Sequence, residues 1–227
     1  MKSTNLVLPT NKRFYRQRSF LFTIFKRFMD IFGSLFLIII FSPLLLITSA
    51  LIYIYSPGPI FFKQKRVGKN NIQFCLFKFR TMYTGDNDKR LKSYPELYKR
   101  YIQNDWKLGL WEDPRTTPIG KIVRLFSIDE FPQVINILKG EMSLVGPRAY
   151  REEELQDYQR RYPHTTKFIE IIRTAKPGLT GLWQTSGRNN LSFEERAKLD
   201  ANYIVNRSFL QEIGIILKTP FCMISRW

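Results

Sequence analysis

An adjacent acidic pair, Asp129-Glu130, lies in the stretch RLFSIDEFPQVINILKGEMSLVGPR, residues 124–148. One carboxylate can act as a nucleophile, and a second beside it is an oxygen ligand of the kind Mg²⁺ prefers. Ser127-Ile128-Asp129-Glu130 also has the S-x-x-E form of a capping box. In that structural reading Ser127 caps a helix, Glu130 reaches back and Asp129 favours the positive helix end. The two readings coexist, because a helix N-terminus gathers N–H groups and suits phosphate. Arg124, Arg148 and Arg188 are natural phosphate ligands, since the guanidinium fork matches phosphate oxygens. Gly146-Pro147-Arg148 and Ser186-Gly187-Arg188-Asn189 place two of them on turns, where binding residues often sit. In a chain with 36 Lys and Arg, any single Arg also has a plain reading as a solvated surface charge.

Composition narrows the chemistry further. The 227 residues contain one His, His164, and two Cys, Cys75 and Cys222. A thiolate zinc site and a disulfide scaffold are therefore excluded, and a His-rich metal site or a Ser-His-Asp triad is disfavoured. Carboxylates, Arg, Lys, hydroxyls or a bound hard metal remain. Hydrophobic residues make up 44% of the chain and aromatics 15%, which excludes a disordered chain and fits one domain with a real core.

The elements that must position the acidic pair are legible in outline. Residues 60–66 and 73–79 read as two strands of a hairpin around Gly68-Lys69-Asn70-Asn71. Residues 86–107 read as exposed and helical. Residues 127–139 read as a helix stopped by Gly140, with irregular first turns because of Pro132. Helices are also expected over 151–161 and 192–206, with a turn-rich stretch over 176–190. Phe209, Leu210, Ile213, Ile216 and Leu217 share one helical face, expected to pack in the core, with a membrane surface as the other reading.

The N-terminal third is different. Residues 1–85 hold 13 Lys and Arg against a single acid, Asp30, and residues 31–62 are 32 consecutive uncharged positions. A basic patch attracts nucleic acid or an anionic membrane. The apolar run decides for the membrane, so no nucleic-acid partner is expected. Ser42-Pro43 sits near the middle of that run, where proline removes a backbone hydrogen bond and kinks a helix. Lys12, Arg13, Arg16, Arg18, Lys26 and Arg27 precede the run, and Lys63, Lys65, Arg66 and Lys69 follow it. Lys/Arg-rich flanks belong on the cytoplasmic side. Two basic flanks suit a helix that enters, turns at Ser42-Pro43 and leaves by the same face; a kinked bitopic span is the plainer alternative.

Taken in order, several stretches resemble the monotopic phosphoglycosyl transferases, the bacterial sugar transferases. They are Lys26-Arg27-x-x-Asp30, Ser42-Pro43, Gly58-Pro59, Lys78-Phe79-Arg80-Thr81-Met82, Ser127-x-Asp129-Glu130-x-Pro132-Gln133, Met142 to Arg148, Lys176 to Gly181 and Ser186 to Asn189. The resemblance covers residues 26–219. It implies transfer of a sugar-1-phosphate from a UDP-sugar to a polyprenyl phosphate, usually undecaprenyl phosphate, with release of UMP. It implies Asp129 as nucleophile through a covalent phosphosugar intermediate, Mg²⁺ as cofactor engaged by Glu130, and Arg residues of the turn motifs on phosphates or nucleotide. Lys78, Arg80, Arg124, Arg148 and Arg188 are carried over as substrate-binding candidates. The implied location is the bacterial inner membrane, on the anionic inner leaflet, with the catalytic domain facing the cytoplasm.

The expected fold is α+β and mostly helical. A basic segment (1–25) leads into a re-entrant membrane helix (26–56) broken at Ser42-Pro43. A cytosolic domain (57–227) follows, with a small β-hairpin and membrane-surface amphipathic helices. With no further membrane bundle before it, the chain resembles a minimal catalytic form, and its membrane-proximal helices leave room for a homodimer. Ala149 stands where the family usually has proline, which is expected to loosen the loop holding Arg148. Residues 83–109 form a long segment suited to partner or substrate selectivity. The alternative from another class is a membrane-anchored, non-catalytic basic scaffold, which gives no reason for an acidic dyad flanked by Arg-bearing turns.

Overall fold

The computed structural model describes residues 20–104 and 108–222. Lys12, Arg13, Arg16 and Arg18 of the basic segment lie outside the described residues, as does the end of the chain after Cys222.

Helix α1 (Phe20–Tyr55) has 36 residues, about 54 Å at 1.5 Å per residue. It is long and apolar enough to cross a membrane. Its buried residues are Phe22, Asp30, Ser34, Thr48 and Ile52, so three of the five are polar. Phe28, Phe32, Phe36, Ile39, Leu46, Ile47 and Ile54 are exposed. This inverts a soluble amphipathic helix, and an apolar exterior of this extent marks a surface that meets lipid or protein. The expected break at Ser42-Pro43 is instead an accommodated proline within one continuous helix. Pro43 has no N–H for the carbonyl of Ile39, and the Ser42 hydroxyl donates to that carbonyl at 2.9 Å.

The charged residues of α1 clamp it to the rest of the chain. Lys26 donates to the Val145 carbonyl at 2.9 Å and pairs with Glu212 at 2.7 Å. The Arg27 guanidinium donates to the Ile137 and Leu138 carbonyls at 2.6 and 2.7 Å. Asp30 accepts from the Ser143 hydroxyl and the Leu144 N–H, both at 2.8 Å. Further along, Phe41 packs on Phe131 with ring centroids 4.7 Å apart. Ile52 is fully buried against Phe79 and Val123.

Strands β1 (Phe61–Val67) and β2 (Gln73–Phe79) pair antiparallel, Phe62 opposite Lys78 and Arg66 opposite Phe74. The expected helix over 86–107 is two pieces, α2 (Asn87–Lys92) and α3 (Pro95–Gln103), with Pro95 in the first turn of α3, the position proline favours. Helix α4 (Pro118–Leu125) is capped by the Thr117 hydroxyl and leads into the acidic pair. Helix α5 (Val134–Lys139) ends at Gly140, whose φ of 82° suits glycine. Strands β3 (Ser143–Val145) and β4 (Gly178–Thr180) pair in parallel. A Cβ on Gly178 would lie 2.1 Å from the Gly146 nitrogen, so the two chains approach this closely only because a glycine is there.

The core gathers β1, β2 and β3 with α6 (Glu152–Arg161), α7 (Thr166–Ile172) and α9 (Phe193–Asn206) around Ile137, Met142, Tyr158, Ile169 and Phe193. The short α8 (Leu182–Ser186) packs on α9. Helix α10 (Phe209–Cys222) splits the expected face: Ile216 packs on the core and Phe209 on Phe22 and Phe25 of α1, while Leu210, Ile213 and Leu217 are exposed and Glu212 and Ile215 are buried. Glu212 holds the inward face through Lys26, so the rest of the apolar face is left outside.

Candidate active site

The acidic pair sits on a strained turn. After α4, Ser127 adopts a left-handed backbone with φ 56°, uncommon for a residue other than glycine. Ile128–Gln133 then winds as a 3₁₀ helix. Pro132 accounts for this, since it cannot return an N–H to the carbonyl of Ile128. The expected capping box does not form. The Ser127 hydroxyl accepts from the Arg188 guanidinium at 2.7 Å, and Glu130 turns to Lys78.

Strand β2 supplies Lys78. Its ammonium lies 2.7 Å from Glu130 Oε1 and 3.6 Å from Asp129 Oδ2, so one cation bridges both carboxylates. Burial pushes the Asp129 carboxyl above its ordinary value; Lys78 opposes that, and the Glu130 charge adds to it. Burial would raise Glu130 too, but the charge and hydrogen bond of Lys78, with Arg188 and Arg148, outweigh it and hold Glu130 below its ordinary value. A proton entering this pair goes to Asp129. The Lys78 charge works against that protonation.

A cleft opens beside Glu130, lined by Arg66, Lys78, Glu130, Gln133, Arg148 and Trp183 among others. The Arg148 guanidinium lies 5.4 Å from the Trp183 ring and 5.8 Å from the Tyr150 ring, within cation–π range of both. Arg124 donates to the Thr116 hydroxyl at 3.0 Å and lies 3.9 Å from Asp113, and its charge acts on Asp129. Arg188 also donates to the Cys222 carbonyl. The structure thus gathers Lys78, Glu130 and Arg148 at one cleft, with Asp129 buried beside Lys78, Arg188 bracing the turn at Ser127 and Arg124 held by Thr116 and Asp113. Arg80 lies elsewhere. It is buried and donates to the carbonyls of Ser56 and Pro57, latching the end of α1 to β2.

Sequence reasoning missed Arg66, Gln133 and Trp183 in the cleft wall. Arg66 had a usable signal: period-2 alternation and the hairpin register put it on the face that carries Lys78. Gln133 and Trp183 had none beyond their neighbours in the motifs.

The donor set bears on a hard cation. Mg²⁺ binds through one or two carboxylates and completes its shell with water and substrate phosphates. Asp129 and Glu130 match that number. Among the described residues no cluster of three acidic, His or Cys side chains exists. The pair therefore fits a cation that arrives with phosphate, not a cage built from protein alone.

A long apolar helix is clamped to a small α+β domain, and a buried Asp129 stands beside a half-buried Glu130 that faces a cation-lined cleft; this is the arrangement of a membrane-associated transferase. Residues 21–226 match the family model for bacterial sugar transferases, and the chain belongs to that family. It is 39% identical over 207 residues to the exopolysaccharide production protein ExoY of Sinorhizobium fredii, covering 88% of this chain and 86% of that one. It is 36% identical over 208 residues to the undecaprenyl-phosphate galactose phosphotransferase of Salmonella typhimurium, covering 88% of this chain and 40% of that one. It is 38% identical over 214 residues to the galactosyl transferase CpsE of Streptococcus agalactiae, covering 94% of this chain and 44% of that one. The chain thus spans less than half the length of the last two.

Proposed function

We propose that this chain transfers a sugar-1-phosphate from a UDP-sugar to undecaprenyl phosphate, as an early membrane step in exopolysaccharide or capsule assembly. The observation that carries the reading is the Asp129-Glu130 pair, bridged by Lys78, with Glu130 and Lys78 lining a cleft that also holds Arg148. A carboxylate attacking a pyrophosphate meets like-charge repulsion, and the cations lining this cleft oppose it.

An oxygen of ionised Asp129 attacks the phosphorus that bears the sugar. The bond from that phosphorus to the bridging oxygen breaks, and UMP leaves with the electron pair. An oxygen of the lipid phosphate then attacks the same phosphorus. The aspartyl bond breaks and the carboxylate is restored. Glu130 would hold Mg²⁺, which when bound neutralises charge on the donor phosphates. Lys78 favours the ionised form of Asp129, and Arg148 holds phosphate oxygens from the opposite wall. Arg188 fixes the turn, and Arg124 and Arg188 add positive potential.

The acceptor lipid places the reaction at a membrane, and the exposed apolar side of α1 suits insertion into the cytoplasmic face of the inner membrane without crossing it. Its first turns bind β3 and α10, its middle touches Phe131, and Arg80 latches its exit. Both ends are tied to one domain and so belong on one side. UMP release from a panel of UDP-sugars with Mg²⁺ and undecaprenyl phosphate tests the reading. Wild type is expected to release UMP with at least one donor and Asp129→Asn to release none; equal release by the two would remove Asp129 as nucleophile.

A further inference from the structure

The backbone around Arg148 is gripped from two sides by residues that no motif singled out. On one side Arg66 donates to the Ala149 carbonyl at 2.9 Å, and the next residue of β1, Val67, donates its N–H to the Tyr150 carbonyl at 2.9 Å. On the other side Asp200 of α9 is completely buried, and its Oδ2 accepts the Arg148 N–H at 3.0 Å. Gly178 closes the loop from below by donating to the Pro147 carbonyl at 2.9 Å. Ala149 in place of proline therefore does not leave the loop slack. Arg66 is crowded as well: it lines the cleft beside Arg148, and Glu154 lies 3.6 Å from it as counter-ion. Asp200 has a second oxygen, Oδ1, buried with no hydrogen-bond partner, so local satisfaction alone does not account for a carboxyl group here.

We propose that Arg66 and Asp200 are positioning residues, which act by fixing the Arg148 loop so that its guanidinium meets the donor phosphates. The inference rests on the phosphoglycosyl transferase reading. Neither residue needs to touch substrate, because each reaches the reaction through Arg148.

The test is a double-mutant cycle on the full chain in detergent, reading donor KM and kcat separately by UMP release and folding by thermal midpoint. Arg66→Met and Asp200→Ala are each expected to raise donor KM by about tenfold or more in the wild-type background. In an Arg148→Ala background they are expected to add less than about twofold, since interactions routed through one residue are not additive. Asp200→Asn keeps an oxygen acceptor and is expected to restore most of the donor affinity. Equal fold-losses in both backgrounds would overturn the proposal, because a general packing role does not depend on Arg148. Unchanged KM in both single variants would overturn it too. Failure of the underlying reading looks different: wild type itself would release no UMP.

Discussion

At the scale of single residues, the central feature is one ammonium serving two carboxylates. Lys78 is expected to do more than bind substrate, because it lowers Asp129 against the upward push of burial. On the proposed route Asp129 must be ionised to attack, so kcat/KM is predicted to rise with pH through its elevated pKa. Removing the ammonium raises that pKa further. Lys78→Met is therefore predicted to move the acid limb of the pH profile to higher pH and to lower kcat/KM by about 10²-fold or more; an acid limb that stays in place would contradict this. The acidic pair and the turn-borne Arg residues were legible in the sequence, because their types and spacing are unusual. Arg66 and Asp200 were not, since they act through backbone groups that only tertiary pairing brings to them. The capping box was a correct pattern with the wrong outcome. Pro132 and the pull of Arg188 and Lys78 gave Ser127 and Glu130 tertiary partners instead.

At the scale of elements, helices, hairpin and membrane segment were readable from periodicity and composition. The β3–β4 pair was not, because two three-residue strands more than thirty positions apart leave no local signal. Lys26 and Arg27 illustrate a second limit. Their basic character suggested headgroup contact, yet they bind carbonyls and Glu212 of the domain. Asp30 belongs to the same clamp, and Asp30→Ala would leave the Leu144 N–H buried and unmade. It is predicted to cost about 1–3 kcal/mol, read as a lowered denaturation midpoint in detergent. Helix α9 contributes a pH dependence. Burial raises Asp200 to about 8, against the Arg148 N–H and the charges of Arg148 and Arg196. The folded chain then holds a proton that the unfolded chain releases at about 4, so stability falls as pH rises between those values. Asp200→Asn is predicted to flatten that fall; a slope identical to wild type would contradict the assignment.

At the scale of the whole molecule, apolar surface is concentrated on α1 and α10, and the cleft belongs to the domain clamped against them. The outward Leu210, Leu217 and Phe221 of α10 are 84%, 66% and 87% exposed, too much apolar surface to leave in water without a purpose. Changing these three to Asn is predicted to weaken partition into anionic vesicles by at least about tenfold, since each large apolar side chain contributes about 1.5–3 kcal/mol on burial. The inward contacts of α10 remain intact in that variant. The clamp on both ends of α1 supports the proposal that they lie on one side of the membrane. In a background lacking Cys75 and Cys222, cysteines at positions 18 and 65 are predicted to label from the same side of the membrane. Labelling from opposite sides would make α1 a spanning helix.

The most direct test of the covalent route is intact-protein mass spectrometry after mixing the purified chain with Mg²⁺ and a panel of UDP-sugars, with no lipid acceptor. The account predicts an added sugar-phosphate mass on wild type that is absent from Asp129→Asn, and the donor that gives it is the substrate. The same added mass on Asp129→Asn would contradict it, because the phosphosugar would then be carried by a different residue.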